Sequence, residues 1–195
     1  MNPGGSMETK VTYFEKTGKE NTEACLRITK EALQGRGIKH LVVASTYGDT
    51  GLLFSDALKD SGINLVVVTH CAGFKEPNAI EMTPEIRGRI EEYGAHVLTG
   101  TMVTHSIETA FAAKFSGLYP TLIIAQTLRV FGQGTKVCCE IAMMAADAGL
   151  IPEGEEVLAV AGTARGADAV LLIKSAVSKR FFDLKVLEIL AKPRE

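Results

Sequence analysis

The four cysteines of this 195-residue chain, Cys25, Cys71, Cys138 and Cys139, form no CxxC pair and no zinc-ligand spacing. That excludes a zinc module of the usual kind and agrees with a reducing, cytoplasmic setting. Cys138 and Cys139 adjoin inside a helical pattern and read as small core residues; Cys71, just after a predicted strand, is the thiol best placed to react. No group of residues has the ligand set of a transition-metal site, so no metal is expected. No block of Lys or Arg stands out, and the net charge is −2. A nucleic-acid surface and an electrostatic membrane anchor are therefore disfavoured. No apolar run approaches the length that crosses a bilayer. The N-terminus lacks a charged segment followed by an apolar one, so no secretory signal is expected. Internal repeats, low-complexity tracts and a local Ser-His-Asp signature are also missing.

What is present is an ordinary globular composition, 46% hydrophobic and 23% charged. The length suits one domain, taken here as residues 7–195. Met1 to Ser6, M-N-P-G-G-S, read as a flexible tail or a cloning remnant. Continuous apolar runs at Leu41–Ala44, Leu65–Thr69, Ala95–Thr99, Val157–Ala161 and Ala169–Ile173 predict five main strands. Val11–Phe14 reads as a short edge strand, and Leu184–Leu190 as a last strand, half buried because Glu188 interrupts it. Helical patterns run from Asn21 or Thr22 to Gln34, from Leu52 to Asp60, from Thr83 to Tyr93, and through Ile107–Phe115. Two more follow, one opened by Tyr119-Pro120 and broken by Gly132 and Gly134, the other from Lys136 to Ala148. Strands without polar alternation, separated by helices, predict an α/β fold. It is a three-layer α/β/α arrangement around a mostly parallel sheet, with an antiparallel edge strand. Ligands of such sheets sit at the carboxyl ends of the strands, where strand order reverses. Those ends are Ser45-Thr46, Thr69-His70, Gly100-Thr101 and Gly162-Thr163, and they are expected to converge on one cleft.

The sharpest local signal is His40 to Gly51, H-L-V-V-A-S-T-Y-G-D-T-G. A buried-type strand empties through a small, hydroxyl-rich turn into a helix. Free N–H groups and the helix dipole at such a start favour an anion, and glycine lets it approach. A plain tight turn is the competing reading. Ser45, Thr46, Gly48, Thr50 and Gly51 are the expected phosphate contacts. Tyr47 either stacks on an aromatic ligand or covers the sheet edge. Asp49 caps the helix or accepts from a ligand hydroxyl; direct contact with phosphate is opposed by like charge. A second glycine loop, Gly162-Thr163-Ala164-Arg165-Gly166-Ala167-Asp168, offers Arg165, either as a bidentate phosphate partner or as a solvated loop residue. Asp168 is suited to fixing that loop. The long irregular segment His70 to Thr83 has the character of a functional loop. His70 and His105 fall near strand ends and are the candidates for proton transfer or for a hydrogen bond to a ligand ring; each is also compatible with a structural role. Lys136 and Glu140, four apart on a helix, read by default as a local ion pair; the order Lys before Glu makes it weak, which leaves room for a site role.

The segment order resembles the C-terminal α/β domain of pyruvate kinase. Ala145–Gly162, A-A-D-A-G-L-I-P-E-G-E-E-V-L-A-V-A-G, carries the clearest match. Ala44–Thr50 is similar to the kinase's hydroxyl-rich turn, where some members bind an allosteric sugar bisphosphate; Asp49 departs from that pattern. More closely, the chain looks like a stand-alone family of such domains in archaea and bacteria. Gly18–Glu23, Val42–Thr50, Thr69–Phe74, Lys136–Pro152 and Gly162–Ala169 carry that likeness, which covers Met7 to Arg194. It implies flavin mononucleotide (FMN) or a similar phosphorylated ligand, with phosphate on Gly48–Gly51. The ring would extend over Thr69, His70, Gly73 and Phe74 toward Gly162, Thr163, Arg165, Gly166 and Ala167. A flavin-dependent oxidoreductase is one expectation. A non-catalytic sensor of a sugar phosphate or nucleotide is the alternative, and a phosphatase or phosphotransferase using Asp49 is a third. Pyruvate kinase activity is not expected, because the catalytic barrel needs roughly 250 residues by itself. A homodimer is expected from base rates.

Overall fold

The computed structural model describes residues 7–194, so the expected tail at Met1–Ser6 lies outside the described residues. The chain runs β1 (Thr12–Phe14), α1 (Thr22–Arg36), β2 (His40–Ala44), α2 (Asp49–Leu58), β3 (Asn64–Val68), α3 (Pro84–Glu92) and β4 (His96–Leu98). It continues through α4 (Ile107–Phe115), α5 (Pro120–Arg129), α6 (Gln133–Asp147), β5 (Glu156–Ala161), β6 (Ala169–Lys174) and β7 (Lys185–Pro193). Short 3₁₀ turns precede α1 and β7. The local signals act where expected. Thr83 caps α3 by accepting from the Ile86 amide, with Pro84 in the first turn. Gly37 ends α1 in the left-handed region at φ 67°.

The strands form one seven-stranded mixed sheet in the order β1-β7-β6-β5-β2-β3-β4. Alternation along β2 explains its two faces. Leu41 and Val43 join Cys25, Phe54 and Ile90 on one side, beneath α1, α2 and α3. Val42 joins Cys138, Ala142 and Ala145 of α6 on the other. Cys25, Cys138 and Cys139 are buried, free thiols, and burial pushes each of them well up, to about 12 for Cys25 and Cys139. Among the described residues no helix is long and apolar enough to cross a membrane.

The sheet joins the five main strands with β1 and β7 in one seven-stranded whole, and it departs from expectation in that the reversed strand is not at an edge. β6 is antiparallel to both β5 and β7 and lies inside the sheet, while the edge strand β1 pairs parallel with β7. Loop length is the reason. Only residues 162–168 join β5 to β6, and a parallel connection needs a crossover of a dozen or more residues. Element boundaries also move. α2 starts at Asp49 rather than Leu52, and α6 takes in Gly134, expected as a breaker. The apolar residues of α4 do not face the sheet: α4 has no buried residue, and Ile107, Phe111 and Phe115 are exposed.

Gly51 shows how tightly α2 seats on the sheet. A Cβ there would stand 2.6 Å from Val67 Cγ1 and 3.2 Å from Ile90 Cδ1. Gly51→Ala is expected to cost about 1–3 kcal/mol of stability through overpacking, read as a lower urea midpoint. An unchanged midpoint would show that α2 can slide away from β3.

Candidate functional site

Strand order reverses between β2 and β5. From β2 the chain moves on to β3 and β4; from β5 it moves the other way, to β6 and β7. A cavity of about 310 Å³ opens at the carboxyl ends of these two strands, as the geometry of open α/β sheets leads one to expect. Its walls are the β2–α2 turn, the end of β3, the β5–β6 loop and the start of α6. Of the four strand ends expected to converge, three border it. Gly100-Thr101 does not; Met102 and His105, further along the same segment, do.

The β2–α2 turn is built as a helix start. The Gly51 amide donates to Ser45 Oγ at 2.9 Å, and the Leu52 amide to the Gly48 carbonyl at 2.7 Å. The amides of Thr46, Tyr47, Gly48, Asp49 and Thr50 have no acceptor among the described residues. First-turn amides point out of a helix start and need partners beyond it. Ser45, Thr46, Tyr47, Asp49 and Thr50 border the cavity. Gly48 and Gly51 do not, and their lack of side chain serves packing. Gly48 has φ 95°, and a Cβ on it would meet Ile86 Cγ2 at 2.2 Å.

Arg165 reaches across the mouth to Asp49, 3.1 Å away, and its guanidinium lies 4.8 Å from the Tyr47 ring centroid. Lys75 stands 4.9 Å from the same centroid and donates to the Tyr47 hydroxyl. Tyr47 thus carries two cations at the edge of the cavity. Gly162 and Gly166 border the cavity, whereas Thr163 and Ala167 frame the loop from behind. Asp168 does fix that loop: its Oδ2 accepts from the Gly18 and Thr163 amides at 2.9 and 3.1 Å. The Ala167 amide donates to Thr22 Oγ1 at 3.0 Å. On the β3 side, Thr69, His70 and Phe74 border the cavity. The His70 and Phe74 rings meet at a tilt of 44° with centroids 4.0 Å apart. His70 Nδ1 is buried without a partner, and burial pushes the pKa of this imidazole down, against the pull of Glu81. Gly73, with φ 78°, shapes the loop and does not border the cavity.

On the far wall the sequence points to His105 as a candidate and reads Lys136 and Glu140 by default as a local ion pair. Lys136 and Glu140 are 1% and 3% exposed, and the ammonium binds Glu140 Oε2 at 2.5 Å. Glu140 Oε1 accepts from the Thr104 amide at 3.0 Å and from the Thr104 hydroxyl, which clamps the segment after β4 onto α6. His105 Nδ1 lies 2.9 Å from Thr104 Oγ1 and 3.2 Å from Lys136 Nζ; its Nε2 faces Arg129 at 3.4 Å. Arg129 also donates from Nε to Gln133 at 2.7 Å. Lys136, Glu140, His105, Arg129 and Gln133 all border the cavity. The missed signal was a pair of opposite charges set beside the apolar stripe of Val137, Ile141 and Met144 in α6. Burial lowers the Lys136 ammonium, partly offset by Glu140. Burial by itself pushes the Glu140 carboxyl up, but His105, the Lys136 ammonium and Thr104 outweigh it and bring it down to about 2.

A depressed carboxylate stabilises the fold above its unfolded pKa and loses that contribution as pH falls through the folded value. Stability is therefore expected to fall from about pH 4.5 toward about 2 as Glu140 takes up a proton. Urea midpoints across that range are the measurement. Glu140→Gln should flatten the slope there and lower stability at neutral pH, because it strands a buried ammonium.

Three solved structures align with parts of this chain. A pyruvate kinase from Cryptosporidium parvum aligns with a TM-score of 0.43 at 15% identity, over 80% of this chain and 23% of the kinase. A hydrogen sulfide-producing enzyme from Fusobacterium nucleatum aligns with a TM-score of 0.32 at 21% identity, over 50% of this chain and 29% of that enzyme. O-ureido-L-serine synthase aligns with a TM-score of 0.31 at 16% identity, over 68% and 48%. The chain thus spans under half the length of each. The family model described as pyruvate kinase, alpha/beta domain, matches residues 23–173, well over half of the sequence. With the strand–turn–helix at Ser45 and the A-G-L-I-P corner after α6 both inside that match, the chain belongs to the pyruvate kinase alpha/beta domain family.

Proposed function

We propose that the cavity binds a phosphorylated small molecule, with FMN as the first candidate. The observation that carries this reading is the run of acceptor-free amides from Thr46 to Thr50 leading into α2, four of whose five residues, all but Gly48, border the cavity. In this reading the phosphate accepts from those amides and from the Thr46 and Thr50 hydroxyls. Arg165 turns from Asp49 to the phosphate and forms the stronger, charge-assisted pair. Asp49 then serves as the resting partner of Arg165, which leaves it poorly suited to act as the acid of a phosphatase. The tilted His70–Phe74 pair supplies an aromatic wall for a ring. The unpartnered His70 Nδ1 supplies a polar contact to it. These residues fit the two ends of FMN. Bound flavin would supply electron or hydride transfer; the chain's residues hold the phosphate, orient the ring and exclude water.

One observation favours the second reading, a non-catalytic sensor of a sugar phosphate or nucleotide. About 310 Å³ lies at the small end of the range for ligand pockets.

Binding of FMN and of riboflavin, which lacks the phosphate, separates the readings. FMN is expected to bind at least about tenfold tighter than riboflavin, and Arg165→Gln to remove most of that difference. Fluorescence titration measures both. Equal affinities would overturn the phosphate reading. If neither flavin binds while a sugar phosphate raises the melting temperature, the sensor reading holds.

A further inference from the structure

The α6 wall has a charge balance that a purely structural pair does not need. Lys136 and Arg129 carry two positive charges against the single carboxylate of Glu140, all bordering one cavity. His105 sits among these groups: its Nε2 faces the Arg129 guanidinium, its Nδ1 lies beside both Thr104 Oγ1 and Lys136 Nζ, and the Thr104 hydroxyl donates to Glu140 Oε1.

Neither cation is saturated. The Lys136 ammonium has three N–H bonds; among the described residues Glu140 Oε2 is its one carboxylate partner and His105 Nδ1, at 3.2 Å, its other contact, which leaves one N–H over. Arg129 has no carboxylate partner among the described residues; its Nε is spent on Gln133 and one terminal nitrogen makes a long contact to His105. Holding loop 99–106 to α6 requires only Glu140 and Thr104. Burying an ammonium for that purpose is costly, and an apolar side chain packs as well. The surplus charge and the unused donors are turned toward the same space.

We propose that this wall is a second ligand subsite, which takes a planar, electron-rich oxygen edge through Lys136 and Arg129. Two chemistries present such an edge: a carboxylate and the cyclic imide of a heteroaromatic ring. The ligand is thus two-ended, phosphate at α2 and planar acceptor edge at α6. This rests on the reading of the cavity as a phosphate-ligand site for the pairing of the two ends, but the α6 wall is tested separately.

Matched probes make the test. 3-Phosphoglycerate differs from glycerol 3-phosphate by its carboxylate, and FMN differs from ribitol 5-phosphate by its imide-bearing ring. Calorimetric affinities are measured on the native protein and on Arg129→Gln, which leaves the Lys136–Glu140 pair in place. In at least one pair the acceptor-bearing probe is expected to bind about ten- to a hundredfold tighter than its partner. Arg129→Gln should erase that gain and leave the affinity of glycerol 3-phosphate or ribitol 5-phosphate unchanged. Which pair shows the gain assigns the carboxylate or the imide. Absence of a gain in both pairs, or a gain that survives Arg129→Gln, overturns the proposal. Glycerate, which has no phosphate, is titrated in parallel by NMR. If the carboxylate is the edge, it shifts the His105 ring resonances of the native protein and not of the variant. Phosphate probes that leave the Thr46–Thr50 amide resonances unmoved would sink the α2 reading, whatever His105 does.

Discussion

The reversal of strand order between β2 and β5 is the constraint on which the rest of this structure depends. Neighbouring strands whose connections leave in opposite directions cannot have their carboxyl ends covered by the same helix. The gap is filled here by the α2 start on one side, the α6 start on the other and the β5–β6 loop across the top. The positive end of α2 borders that space, and α6 lies along it from Gln133 to Met144. Every polar group of interest, from Ser45 to Arg165 to Lys136, reaches the cavity because of that reversal.

Two kinds of polar wall face each other across it. The α2 side is made of main-chain amides and hydroxyls, with Tyr47, Arg165 and Lys75 at its exposed mouth. The α6 side is made of buried charge held in a hydrogen-bonded network with Thr104 and His105. The first kind tolerates water and costs little to maintain. The second is costly unless every member is satisfied, and so it ties loop 99–106 firmly to α6. That difference explains why the glycines of the first wall prove to be packing residues. The backbone there is placed by Gly48 against Ile86 and by Gly51 against Val67, not by contact with a ligand.

Much of the fold was legible because its signals are local. Leu41 to Ala44, Leu65 to Val68 and Val157 to Ala161 are apolar without alternation, which only a doubly covered strand accounts for. The internal position of β6 was also within reach: seven residues between β5 and β6 forbid a crossover. Strand composition alone concealed it, since β6 is buried on both faces like the parallel strands β2 and β3. The apolar residues of α4 misled in the other direction. Helical spacing of Ile107, Phe111 and Phe115 shows a face, not what lies against it.

The candidate site divides along the same line. A strand, a hydroxyl-rich turn and a helix start are contiguous in sequence, so the Ser45–Thr50 wall could be read directly from residue order. The same holds for the loop that Asp168 holds in place. The Lys136–Glu140 pair was visible as a spacing, but whether it faced water or the interior was not. That depended on α6 lying flat across β5, β6 and β2, and on a segment some thirty residues upstream delivering Thr104 and His105 to it. Periodicity and turn chemistry act over a few residues and so belong to the sequence. The dielectric around a charge depends on distant chain folding over it, and only the tertiary structure decided that.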